Sequence, residues 1–71
     1  GVTEIESVGE RYDHNTMEAL SEEMTTDEKL DGFVVKEAVP GYKLNDEVIM
    51  PAKVVVYKFN NKFFWHIIFY H

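Results

Sequence analysis

No cysteine occurs in the 71 residues, so neither a disulfide framework nor a thiolate metal site can supplement the hydrophobic core. That absence agrees with a reducing compartment. Glycine occurs four times and the glycines are scattered, so no phosphate-cradling loop is present and no nucleotide is expected to bind here. Histidine is limited to His14, His66 and His71, and neither their spacing nor their neighbours suggest a metal set. Asp13 beside His14 is read as a surface turn, because adjacent residues on an extended chain point to opposite sides. Ser7 and Ser21 are the two serines, and neither sits in a nucleophile-elbow pattern. Glu22-Glu23 and Asp27-Glu28 lack the ligand alternation and closing glutamate of a calcium loop, which favours a solvated acidic loop. The expectation is a protein with no catalytic residues, no cofactor and no metal.

Long hydrophobic runs are missing too. The longest apolar stretch, residues 63–70, is broken by His66 and falls far short of a membrane span. Gly1-Val2-Thr3-Glu4 carries neither a basic nor an apolar signal region. A soluble chain is expected, and its abrupt start suits a piece of a longer protein. Positive charge is scarce in the first half: residues 1–31 hold ten acids against Arg11 and Lys29, for a charge of −8. Residues 32–71 hold Glu37, Asp46 and Glu47 against five lysines, for +2. A nucleic-acid-binding domain needs a cationic face to neutralise phosphates, and an anionic membrane repels the acidic half. A protein partner is the natural expectation.

What is present is β-structure. At this length the chain forms one small domain near the lower limit for an unaided core, and its apolar content of 45% is ordinary for a globular chain. Residues 33–39 are rich in β-branched side chains and end at Pro40-Gly41, which fits the centre of a type II turn. Tyr42-Lys43-Leu44 reads as a short strand, Asn45-Asp46 as a tight hairpin loop, and Glu47-Val48-Ile49-Met50 as the return. Pro51 cannot donate to a ladder, so it marks an edge, a bulge or a break. Residues 53–59 are the strongest strand. Residues 2–5, and the shorter run 18–20, add strands at the front. Thr25-Thr26-Asp27-Glu28 has the spacing of a capping box and predicts a helical turn, ended by Gly32; the alternative is an acidic loop over residues 21–31. The fold class is all-β and mainly antiparallel, as a compact sheet or small barrel with an acidic loop or single helical turn.

Two blocks carry a family resemblance. Gly41-Tyr42-Lys43-Leu44-Asn45-Asp46-Glu47-Val48-Ile49-Met50-Pro51-Ala52-Lys53-Val54-Val55-Val56 resembles the C-terminal signature of GrpE-type nucleotide exchange factors, in outline Gly-Tyr-x-Leu-x-Asp-Arg-Val-Ile-Arg-Pro-Ala-x-Val-x-Val. Upstream, Gly9-Glu10-Arg11-Tyr12-Asp13-His14-Asn15-Thr16-Met17-Glu18-Ala19-Leu20 resembles that family's Gly-Glu-x-Phe-Asp-Pro-Asn-x-His-Glu-Ala-Val. The likeness covers roughly residues 1–58 with order and spacing kept, which is far more specific than one short motif. Apart from the conservative Tyr12 and Leu20, the departures from the pattern are His14 for proline, Met17 for histidine, and Glu47 and Met50 for arginines. Losing two positive charges on one hairpin implies either weaker docking to an acidic surface or a partner of altered charge.

The resemblance implies a β-wing over residues 1–58, and the aromatic-rich extension over residues 59–71 has no counterpart in it. It implies a wing that docks on the nucleotide-binding domain of a DnaK-type chaperone and opens the nucleotide cleft. It also implies a homodimer in the longer protein through an N-terminal helix outside this sequence. The location it implies is the cytoplasm of a bacterium, or the mitochondrial matrix or plastid of a eukaryote.

Val54 and Val56 point to one face of their strand, Val55 and Tyr57 to the other. One set must be buried, and the other, with the hairpin, offers a docking surface. The candidate partner-binding residues are Ala38, Tyr42, Leu44, Glu47, Ile49, Met50, Val54 and Val56. Asn60-Asn61 suits a hairpin turn, after which residues 62–70 are expected to fold back as an extra strand on residues 54–59; the alternatives are an extension that covers a partner surface and a disordered end. The rival function is a protein- or peptide-binding β-module acting by strand addition.

Overall fold

The strand over residues 53–59 was expected to lead the fold, and it stands at the centre of the larger sheet. The computed structural model describes residues 1–60. Its strands are β1 (Val2–Glu4), β2 (Met17–Thr25), β3 (Val34–Val39), β4 (Tyr42–Leu44), β5 (Glu47–Met50) and β6 (Ala52–Phe59), with one 3-10 turn at Glu28–Leu30. They form two three-stranded sheets, ordered β1-β4-β5 and β2-β6-β3. The all-β, mostly antiparallel expectation holds, since three of the four strand pairings are antiparallel.

β6 is flanked on both edges, by β2 in parallel and β3 in antiparallel register. Lys53-Val54-Val55-Val56-Tyr57 is apolar on each side, but only one of its faces is fully buried. Its inner residues Ala52, Val54 and Val56 are buried, and join Ile5, Met17 and Val34 in the core. Its outer residues Val55 and Tyr57 are half-buried.

Several local expectations are corrected. β2 is nine residues long, not the short run 18–20, and its last five residues belong to a strand and not to an acidic loop. Pairing with β6 over Met17–Thr25 outweighs the poor β-propensity of Glu18, Ala19, Glu22 and Glu23. The helical turn begins two residues later than expected. Asp27 is its cap and accepts from the Lys29 N–H at 3.0 Å, while the Thr25 hydroxyl accepts from the Asp27 N–H at 3.1 Å.

The hairpin at Asn45-Asp46 is present, and Asn45 takes φ +56°, a conformation its short polar side chain tolerates. Pro40-Gly41 is not a type II turn. Gly41 does not adopt a positive φ, and the segment crosses from β3 in one sheet to β4 in the other. Pro51 marks the strand break that sequence suggested, carrying the chain from β5 back to β6. The extra strand over residues 62–70 lies outside the described residues.

Candidate docking surface

Strand pairing decides which hairpin side chains share a face, because directly opposed residues project the same way. In the small sheet Val2 opposes Leu44, Leu44 opposes Glu47, Glu4 opposes Tyr42, and Tyr42 opposes Met50. Thr3, Lys43 and Val48 form the other face, and Val48 packs against the core. The first set therefore looks outward. Ile49 is the extra residue at the register shift between Tyr42 and Lys43, and such a bulge re-aims a side chain.

The outward face is apolar for a surface so small. Val2 is 60%, Ile49 54%, Met50 48% and Leu44 43% exposed, with Tyr42 half-buried among them. Glu4 and Glu47 supply its negative charge. Exposed apolar residues grouped on one face mark interaction sites more often than scattered ones do. The carboxylates of Glu4, Glu6 and Glu37 line the cleft beside β1, a surface that repels phosphates.

Of the eight residues singled out in the sequence, Tyr42, Leu44, Glu47 and Met50 come together on this outward face, with Ile49 at its bulge. Ala38 is exposed at a bulge of β3, in the other sheet. Val54 is fully buried and Val56 is 8% exposed. Those two valines sit in the core, against which Val48 of the small sheet packs. Val2 was missed. Its only signal is its pairing with Leu44, which periodicity along three residues could not reveal.

The segment between β1 and β2 is tied down by its own contacts. Tyr12 packs against the core and its hydroxyl donates to the Met17 carbonyl at 3.3 Å. Arg11 bridges Phe33 and lays its guanidinium 4.9 Å from that ring centroid, a cation–π arrangement. The Ser7 hydroxyl, buried, donates to the Glu37 carboxylate. Asp13, read from sequence as a turn residue, accepts from the Asn15 N–H at 2.9 Å. Among the described residues no helix is long and apolar enough to cross a membrane.

Residues 1–58 match the family model for GrpE. The protein GrpE of Brachyspira hyodysenteriae is 50% identical over 58 residues, covering 82% of this chain and 28% of that protein. The protein GrpE of Protochlamydia amoebophila is 43% identical over 58 residues, covering 82% and 27%. That of Exiguobacterium sibiricum is 45% identical over 56 residues, covering 79% and 29%. The chain thus spans less than a third of the length of these relatives.

Proposed function

The chain belongs to the GrpE family, and from that premise we propose that it is the chaperone-docking module of a co-chaperone that promotes ADP release from a DnaK-type chaperone. The outward face of β1-β4-β5 is the contact surface. The observation that carries this reading is the grouping of exposed Leu44, Ile49 and Met50 on one small sheet, within the block that resembles the family signature most closely. Tyr42 and Glu47 complete the surface, Ala38 adds a contact from the larger sheet, and Val54 and Val56 belong to the core against which Val48 packs. In the longer protein the module is carried on a homodimer joined by an N-terminal helix, in the cytoplasm of a bacterium or the corresponding organelle of a eukaryote.

The mechanism needs no reacting group. A module that binds the open nucleotide-binding domain more tightly than the closed one shifts the population toward opening, and ADP leaves. Linkage makes the effect reciprocal, so ADP weakens module binding by the same factor. Rigidity matters, because a loose surface loses differential affinity to the entropy of ordering it.

The test is ADP-release kinetics from a purified DnaK-type chaperone. Ile49→Ala and Met50→Ala are expected to slow chain-stimulated release while leaving the fold intact. If both fold normally and release is unchanged, the contact surface lies elsewhere.

Strand addition is the second reading, and the unpaired outer edge of β2 among the described residues is the observation that favours it. We place it behind the first, because Glu18, Glu22 and Glu23 line that strand and charge on an edge protects it from pairing.

A further inference from the structure

The small sheet is joined to the larger one by two short crossovers, residues 39–42 and 50–52, and each contains one of the chain's two prolines. The crossovers touch each other. A Cβ on Gly41 would lie 2.2 Å from the Ala52 backbone nitrogen and 2.7 Å from the Pro51 carbonyl carbon, so the two backbones are in direct contact. Their hydrogen bonds fasten both to the rest of the fold. The Ile5 N–H donates to the Gly41 carbonyl at 2.9 Å, and the Ala52 N–H donates to the Thr16 carbonyl at 3.0 Å. The chain leaving β1 is thereby bound to one crossover, and the start of β2 to the other.

We propose that Pro40, Gly41 and Pro51 form a rigid joint that sets the angle of the β1-β4-β5 sheet, making them positioning residues for docking. Proline fixes φ and stiffens each crossover, and the missing side chain at Gly41 lets the two stiff segments lock together. The four residues of β5 at about 3.3 Å each put the hairpin tip about 13 Å from the joint, so about 20° of slack would carry the tip through about 4 Å. A surface with that freedom adapts to the closed chaperone almost as well as to the open one. The inference rests on the docking reading above for its purpose, but the joint itself is measurable in the free protein.

The experiment records residual dipolar couplings from the isotope-labelled chain, unaltered and as the Pro40→Ala, Pro51→Ala double variant. The same samples are then assayed for ADP release from a purified DnaK-type chaperone. In the unaltered chain one alignment tensor is expected to fit both sheets. In the double variant the small sheet is expected to need a tensor of smaller magnitude, with the larger sheet unchanged. The factor by which the chain speeds ADP release is expected to fall toward one. A purely structural role for the prolines would lower stability without separating the tensors. The proposal is overturned if the unaltered chain already needs two tensors or the double variant still fits one. It is also overturned if the tensors separate and release is stimulated as before. Separated tensors in a protein whose unaltered form leaves release unchanged would uphold the joint and remove the docking reading instead.

Discussion

Gly41 and Ala52 lie so close that the Cβ of any other residue at position 41 would sit 2.2 Å from the Ala52 nitrogen. The obstacle is backbone, which cannot swing aside like the end of a side chain. Gly41→Ala is therefore expected to destabilise the fold by about 3 kcal/mol or more, at the upper end for overpacking. Gly9 provides the contrast: it has φ +81° with nothing within 4 Å of a Cβ. There Gly9→Asn is expected to be mild, because Asn tolerates the left-handed region, whereas Gly41→Asn is as damaging as Gly41→Ala. Urea midpoints at constant slope measure both.

Val54 is fully buried, whereas Ile49 is more than half exposed. Val54→Ala leaves a cavity in a small core and is expected to cost about 2 kcal/mol, seen as a lower urea midpoint. Ile49→Ala is expected to change stability by no more than about 0.5 kcal/mol, as usual for a surface position. Docking is expected to respond in the opposite order. Ile49→Ala raises the dissociation rate from the chaperone, while Val54→Ala affects it only through the unfolded fraction.

Glu47 opposes Leu44 on the outward face, at one of the two positions where the family pattern carries arginine. If the partner surface is acidic, Glu47→Arg is expected to speed association and steepen its salt dependence, with little change in the dissociation rate. A rim charge is worth up to about 1 kcal/mol, so the gain is a few-fold at low salt. Stopped-flow association at two ionic strengths decides it. Rates indifferent to both the substitution and the salt would rule out an acidic partner surface at this position.

Asp31 closes the 3-10 turn and its carboxylate accepts from the Phe59 N–H at 2.9 Å. The contact ties the turn to the end of β6. Asp31→Ala is expected to cost about 1 kcal/mol, the usual size for one such hydrogen bond. Asp31→Asn keeps an acceptor oxygen and is expected to recover most of it. Amide exchange at Phe59 reports the local loss directly, and unchanged protection in Asp31→Ala would show that the bond is dispensable.

The sequence by itself determined the elements whose cause is local. The alternation of Val54 and Val56 against Val55 and Tyr57 defined β6 and its two faces. The turn-forming pair Asn45-Asp46 set the hairpin, and Pro51 the break after β5. The two matched blocks identified the family, because order and spacing survive along a chain whatever the strands do in space.

Only the tertiary structure decided what depends on residues far apart. β2 has little β-propensity and a single buried residue, so it is a strand because β6 lies alongside it. Pro40-Gly41 reads as a turn by composition, but its glycine is required by the approach of Ala52, eleven positions later. Val54 and Val56, docking candidates by sequence, lie on the buried face of β6. Val2 joined the candidate surface because β1 pairs with β4. A face belongs to a sheet and not to a segment, so its membership is settled by register between strands, which no stretch of sequence contains.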